Sequence, residues 1–205
     1  MQNRSQGDRV DEAQHLQQSL EALRTLYRAV RELNSVRDLT ATLQTVADSV
    51  VSSLGFGAAA VNLVHGNELQ IVAVAGPDAV RESLNGQSGS RQSWEELLDR
   101  AQQWGSLRYL PMEQPIGDVP MWRPENGQPA DPDPDAWQPE DVLMAPLYSA
   151  DGELVGVLSV DLPVGGRKPG KDQCELLEMF AAQAAIAIDN ARLHWALRRS
   201  LSRGK

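Results

Sequence analysis

The stretch APLYSADGELVGVLSVD, residues 145–161, decides the fold because two apolar runs in it are separated by a turn signal. Asp151-Gly152 favours a tight hairpin turn, in which both central residues can take positive φ. Side chains alternate between the two faces of a strand. The second strand therefore presents Gly156, Leu158 and Val160 on one face and Val155, Val157, Ser159 and Asp161 on the other. The face that bears Ser159 and Asp161 predicts the wall of a small-molecule cavity.

The rest of the chain supplies helices and further strands around this hairpin. The predicted elements are a helix over 8–34, a second helix over 39–54 capped by Asp38, strands over 58–64 and 69–75 joined at His65-Gly66-Asn67, a helix over 94–104, a strand over 107–111 and a closing helix from 171 to about 202. Antiparallel strands with segregated helices indicate the α+β class.

The two end helices carry apolar residues at spacings of four and three, as in a coiled coil. These positions are Leu16, Leu20, Leu23, Tyr27 and Val30 in the first helix and Leu177, Ala181, Ala184, Ile188, Ala191 and Trp195 in the closing helix. We expect a homodimer held by these N- and C-terminal helices. An equal alternative for the first helix is that it covers the core of its own domain.

Residues 112–141 form a segment that we call the lid. It contains seven prolines and no helical or alternating period, so it is predicted to be irregular. A segment of this length is either a functional loop or a disordered insertion. Trp122 and Trp137 favour the functional loop, because unstructured linkers rarely carry indoles.

Charge and composition exclude several classes of partner. The formal net charge of −9 argues against nucleic acid and anionic membranes, which select for a basic face. The first residues, MQNRSQGDRV, lack the apolar core of a signal peptide, and no apolar run approaches a membrane span. A single cysteine, Cys174, excludes an internal disulfide and fits a reducing compartment. These features predict a cytoplasmic protein.

Three motifs together resemble the GAF domain family: LMAPL (143–147), GELVGVLSV (152–160) and LLEMFAAQAAIAIDNARL (176–193). The resemblance covers residues 26–193 and implies a central antiparallel sheet. It places the long N- and C-terminal helices on one face, and shorter helices and the lid over a ligand pocket on the other. Residues 1–25 are then a helical arm, and residues 194–205 extend the closing helix toward an output domain or a free end.

A narrower resemblance links the chain to GAF modules of actinobacterial cyclic-di-GMP signalling proteins. It rests on Trp104-Gly105, the proline-rich lid and SVDLP (159–163).

The closing helix should pack on the Leu158 face of the hairpin, with Gly156 allowing Ala181 and Ala184 to approach.

The candidate ligand-binding residues are polar residues phased toward the pocket face and aromatic residues in the half of the chain that covers it. They are Asn62, Trp94, Trp104, Tyr109, Trp122, Trp137, Tyr148, Ser159 and Asp161. The ligand itself is not indicated, and no cofactor is assigned.

Catalysis has little support, because the chain lacks the motifs of nucleophilic hydrolases, zinc peptidases and nucleotide-binding loops. Asp131, Asp133 and Asp135 are spaced like calcium ligands, but the glycine and the terminal glutamate of such a loop are absent, so no metal site is predicted. Cys174 lies at the start of the closing helix, where the helix dipole would favour a thiolate, but a lone cysteine on a helix is more often a small packing residue. GAF-fold methionine sulfoxide reductases use several cysteines, whereas this chain has one.

The sequence therefore predicts a non-enzymatic sensory module that binds a small ligand or mediates dimerisation and relays a signal through its end helices. The alternative is a purely structural dimerisation module with an empty or collapsed pocket.

Overall fold

A computed structural model describes residues 36–111, 116–123 and 132–203, with side chains from 39 to 194 within those ranges. In chain order the elements are α1 (Val36–Leu54), β1 (Phe56–His65), β2 (Glu68–Ala75), α2 (Asp78–Leu84), β3 (Ser88–Ser90), α3 (Arg91–Arg100), β4 (Gln102–Trp104), β5 (Leu107–Leu110), β6 (Val142–Tyr148), β7 (Leu154–Pro163) and α4 (Lys171–Arg203). The predicted arm, 1–25, and the helix over 8–34 lie outside the described residues.

The strands form one antiparallel sheet in the order β3-β2-β1-β7-β6-β5-β4. The hairpin from which the fold was predicted lies at its centre, because β7 pairs with β1 on one side and with β6 on the other. The α+β class with a central antiparallel sheet is confirmed.

One face of the sheet is covered by α1 and α4, and we call the apolar layer between them the helix-face core. Its members include Leu43, Val46 and Val50 from α1, Leu158 and Val160 from β7, and Leu177, Phe180, Ala184 and Ile188 from α4. The closing helix thus packs on the Leu158 face, as its apolar stripe requires.

The opposite face carries α2, α3 and part of the lid over two smaller apolar clusters. One cluster joins Trp94, Leu97 and Leu98 of α3 to the sheet, and the other joins Val80 and Leu84 of α2 to it. Ser90 begins α3 by accepting a hydrogen bond from the Ser93 amide at 3.2 Å, which satisfies one of the free amides of the first turn.

Several elements differ from their sequence-based prediction. The helix α1 already begins at Val36, so Asp38 lies within it and does not cap it. Residues 102–104 form the edge strand β4 instead of the last turn of a helix, and α2 and β3 lie between residues 76 and 93, where the sequence predicted no element. In the β6–β7 loop, Gly152 has positive φ whereas Asp151 does not, so the loop is longer than a two-residue turn.

A β-bulge alters the predicted alternation along β7. The register shifts between Leu147 and Tyr148 along the β6–β7 pair, and Val155 consequently joins Leu158 in the helix-face core. A Cβ atom at Gly156 would meet the Asn62 carbonyl oxygen and Leu147, not Ala181 or Ala184. A residue without a side chain is therefore needed at position 156 because the neighbouring strands lie close to it, and not because the closing helix does.

Candidate functional site

A cavity lies between the sheet and the cover formed by α2, α3 and the lid, and about 50 Å³ of it can hold the centre of a water-sized molecule. Its walls are mainly apolar, and Ser159 and Asp161 of β7 contribute polar groups. The lining residues are Ala58, Ala59, Ala60, Ile71, Val80, Leu84, Trp94, Pro120, Met121, Trp122, Val142, Met144, Ser159, Val160 and Asp161. A concave, apolar space with few polar groups is what small-molecule sites commonly provide.

Asp161 supplies the charged group of this cavity. Its Oδ1 atom accepts hydrogen bonds from the Trp137 indole Nε1 at 2.8 Å and from the Leu162 amide at 2.6 Å. Burial raises the pKa of the Asp161 carboxyl to about 6, while these two hydrogen bonds act in the opposite direction and the nearby Asp141 adds repulsion. No lysine, arginine or histidine within the described ranges forms an ion pair with Asp161.

The backbone after Asp161 is held in an uncommon conformation. Leu162 has φ of 53°, a left-handed value that costs free energy for a residue with a side chain. Gly57 makes room for it, because a Cβ atom at Gly57 would lie 2.8 Å from that of Leu162. This local geometry brings the Leu162 amide within hydrogen-bonding distance of the Asp161 carboxylate.

A smaller polar recess, in which about 10 Å³ can hold the centre of a water-sized molecule, adjoins the cavity and shares Met121, Trp122, Val142 and Asp161 with it. Asp141 lines the recess and is 1% exposed. It accepts hydrogen bonds from the Tyr109 hydroxyl at 2.7 Å and the Gln138 amide at 2.9 Å. Burial and the bond to Asp141 raise the pKa of the Tyr109 phenol, so it remains a donor.

The second described part of the lid, residues 132–141, is tied to the segment between β7 and α4. The Trp137 amide donates to the Gly166 carbonyl, and Arg167 forms ion pairs with Asp133 at 2.9 Å and Asp135 at 3.3 Å. Asp133 and Asp135 thus contact a cation of the chain itself, while Asp131 lies outside the described residues. Among the described side chains, no cluster of acidic, histidine or cysteine residues has the arrangement of a metal site.

Four of the nine predicted site residues line the cavity: Trp94, Trp122, Ser159 and Asp161. Trp137 reaches the site only through its indole N–H, because its ring packs in the helix-face core near Tyr109. Trp94 is 2% exposed, and its Nε1 has no hydrogen-bond partner within the part of the chain that the structure describes.

The other four predicted residues lie elsewhere. Tyr109 points to the helix-face core because alternation along β5 sends Leu107 and Tyr109 to that side, and Trp104 stacks on it at 4.3 Å. Tyr148 is 50% exposed at the end of β6, beyond the bulge. Asn62 is buried and donates to the Val157 carbonyl, away from the cavity lining.

Sequence reasoning missed the apolar walls of the cavity. The usable signal was the alanine run 58–60 in β1, since a strand otherwise favours large β-branched residues. Ala58 and Ala60 line the cavity, and their small side chains leave the space that α2 and α3 do not fill.

The surroundings of Cys174 do not favour the thiolate that the helix dipole alone would support. Burial, with a further contribution from Glu178, raises the pKa of the Cys174 thiol instead of lowering it. The sulfur lies 3.9 Å from the Pro169 carbonyl oxygen and half-buried beside the helix-face core. Its environment is that of a packing residue.

Comparison with known proteins gives one family match and many similar folds. The family model of the GAF domain matches residues 38–188. No curated protein matches the sequence. Across the described helices, none combines the length and hydrophobicity needed to cross a lipid bilayer.

Three solved structures illustrate the similarity of fold. A GAF domain of a protein assigned as a sensor histidine kinase from Pseudomonas syringae pv. tomato is 18% identical, with TM-score 0.57, covering 96% of this chain and 99% of that one. The GAF domain of an Acinetobacter phosphoenolpyruvate-protein phosphotransferase is 15% identical, with TM-score 0.59 and coverages of 85% and 94%. The phycocyanobilin-bound GAF domain of a cyanobacterial phytochrome is 18% identical, with TM-score 0.58 and coverages of 85% and 96%.

Proposed function

We propose, on the premise that this chain belongs to the GAF domain family, that it is a non-enzymatic sensory module of the cytoplasm. Its cavity takes a small, mainly apolar ligand, and its closing helix relays the bound state to a partner or output domain. The observation that carries this proposal is the cavity itself, where Asp161, the one ionisable wall residue among those that the structure describes, also binds Trp137 of the lid.

The connection from cavity to helix supports a relay mechanism. Asp161 contacts Trp137, Trp137 contacts Gly166, and the segment that contains Gly166 leads directly into α4. A ligand that alters the Asp161–Trp137 hydrogen bond would therefore alter the anchoring of the lid next to the first turn of α4. Such a relay requires a ligand with different affinities for two arrangements of these contacts.

Ligand binding can be separated from a purely structural role with neutral apolar probes. Indole or benzene at ten times its Kd should stabilise the folded chain by about 1.4 kcal/mol, or about 3–6 °C in Tm. Ala60→Phe should abolish this shift, because Ala60 lines the cavity and is buried. Differential scanning calorimetry measures both.

The matched control for that experiment is Ala150→Phe, the same replacement at an exposed position of the β6–β7 loop. This variant should keep the full response to the probe. An unchanged Tm of the unmodified chain with every neutral probe would favour the alternative, a structural dimerisation module with an unfilled cavity.

Dimerisation through α4 is supported by a row of exposed apolar residues. This row differs from the apolar positions of the closing helix that the sequence predicted. Ile188 is 1% exposed and packs in the helix-face core with Leu177, Ala181 and Ala184, so these residues do not reach a second copy. On the outer surface, Met179, Ile186 and Leu193 are 45–62% exposed and lie seven residues apart.

The intervening residues extend the exposed stripe of α4 into a heptad pattern, although Leu176 also packs partly against the helix-face core. Leu176, Gln183 and Asn190 alternate with the exposed stripe at spacings of four and three, as the a positions of a coiled coil do when the stripe occupies d. Polar residues at a positions specify register and oligomeric state. The pattern therefore favours a second copy of α4 as the partner over an unrelated apolar surface.

Ile186→Glu is expected to give monomers at tens of micromolar, a concentration at which a dimer with a Kd of ~1 μM is populated. A glutamate at the centre of the stripe would bury a charge in the interface. Val164→Glu is the control, because Val164 is 77% exposed outside α4. Sedimentation velocity tests the prediction, and a monomeric unmodified chain would contradict the dimer.

The narrower resemblance to cyclic-di-GMP signalling modules concerns the class of output domain. This resemblance stays a prediction. The residues that line the cavity do not support binding of a phosphate-containing ligand such as cyclic-di-GMP. Among the residues that line the cavity and the recess, the cationic side chain is Arg123, which pairs with Glu140 at 3.9 Å. A phosphate would instead require a convergent set of cationic or amide donors.

A further inference from the structure

Asp161 is a carboxylate with one oxygen used by the protein and one left for another partner. Its hydrogen bonds from Trp137 and Leu162 both end on Oδ1. Oδ2 has no donor within the described ranges and is not among the atoms fully enclosed there. Since Asp161 lines both the cavity and the recess, Oδ2 is the oxygen available to a molecule in that space.

No cationic side chain of residues 39–111, 116–123 or 132–194 forms an ion pair with Asp161. Asp141 lies close enough to repel it, and Arg123 of the recess is engaged by Glu140. Burial that raises the pKa of Asp161 to about 6 leaves the group ionised at pH 7 at a free-energy cost. A cation placed against Oδ2 would remove much of that cost, because a buried charge gains most from a paired partner.

The walls of the cavity indicate what kind of molecule could carry a cation to Asp161. Its aliphatic walls, Ile71, Val80, Leu84 and Met144, favour a compact apolar body. Trp94 and Trp122 add aromatic surface, which accommodates rings and cationic groups. The net charge of −9 attracts cations from solution and repels anions.

We propose that the cavity is a site for a compact apolar ammonium ion, whose charged N–H groups donate to Oδ2 of Asp161 while its apolar body occupies the space under α2 and α3. This inference rests on the proposed sensory function and specifies the chemical class of its ligand. It also connects the ligand to the lid, because the same carboxylate holds the Trp137 indole.

Three matched probes test the class of ligand: 2-phenylethylamine, 2-phenylethanol and phenylacetate. They share a phenyl ring and differ in carrying an ammonium, a hydroxyl or a carboxylate group. Isothermal titration calorimetry at pH 7.5 should give an amine affinity at least about tenfold above that of the alcohol, with the carboxylate weakest. Tenfold corresponds to about 1.4 kcal/mol, within the range of a charge-assisted hydrogen bond.

Asp161→Asn separates the charge from the shape of the site. The amide oxygen can still accept from Trp137 and Leu162, so the fold should be retained. The variant should lose the preference for the amine, with the amine affinity falling at least about tenfold and the alcohol affinity changing less than about threefold. Asp151→Asn, at the exposed β6–β7 loop, removes the same charge and should change neither affinity.

The amine affinity should also rise with pH through about 6, because Asp161 ionises while an alkylammonium stays charged. Equal binding of amine and alcohol, or an amine affinity unaffected by Asp161→Asn, would overturn the inference. If these probes do not bind but indole does, and Ala60→Phe blocks indole, the ammonium site is wrong and the proposed function stands. If neither the three probes nor the neutral ligands bind, both proposals fail.

Discussion

Gly156→Ala is expected to destabilise the domain by roughly 3 kcal/mol or more, the range of severe overpacking in a core. A Cβ atom at this position would lie 2.5 Å from the Asn62 carbonyl oxygen on β1 and 3.2 Å from Leu147 Cδ1 on β6. The nearer contact is with backbone, which no side-chain rotation can relieve. Because Gly156 lies in the central strand, its displacement would disturb the pairing on both sides.

Urea unfolding midpoints of the two proteins measure this effect. Gly170→Ala is the matched control, since a Cβ atom there would meet no atom within 4 Å. Its free energy of unfolding should change by less than about 1 kcal/mol, even though Gly170 precedes the first turn of α4. A Gly156→Ala variant as stable as this control would show that the sheet relaxes without loss around the added methyl group.

The central hairpin could be predicted because its signals are local and consistent. Two apolar runs flank a turn that contains Gly152, and the alternation along the second run placed Leu158 and Ser159 on the correct opposite faces. The same alternation misplaced Val155, because a bulge depends on pairing with another strand and leaves no mark in the strand's own sequence.

Short elements were missed for a related reason. The strand β3, Ser88–Ser90, contains no apolar side chain, and β4, Gln102–Trp104, follows a helical pattern without a break. Both are strands because the neighbouring strands β2 and β5 offer hydrogen bonds, which is a tertiary effect. Local propensity cannot reveal such pairing.

The candidate site was predictable only where it depends on the phase of one strand. The positions of Ser159 and Asp161 follow from the alternation along β7. Tyr109, in contrast, was assigned to the site without first establishing which residues of β5 face the cavity, and it lies on the opposite face. Whether an aromatic residue covers a cavity or fills a core depends on which face it occupies. A one-residue change of register reverses that assignment.

Asp161→Asn is expected to increase the stability of the folded chain at pH 7–8 while it alters the ligand preference. Burial raises the pKa of Asp161 from 3.8 to about 6 in the folded protein. The folded state is therefore favoured most when this group is protonated, below about pH 4. That stability is lost as pH rises through about 6, by an amount on the order of 3 kcal/mol.

The asparagine variant has no proton to lose at this position, so its free energy of unfolding should exceed that of the unmodified protein at neutral pH. The difference should shrink as pH falls from 7 toward 4, because carboxyl groups far from Asp161 contribute equally to both proteins and cancel. Urea unfolding at several pH values measures it, and Asp151→Asn controls for the change in net charge. A difference that stays constant over this pH range would show that Asp161 carries no excess burial cost, and the ammonium ligand would then lose its main electrostatic advantage.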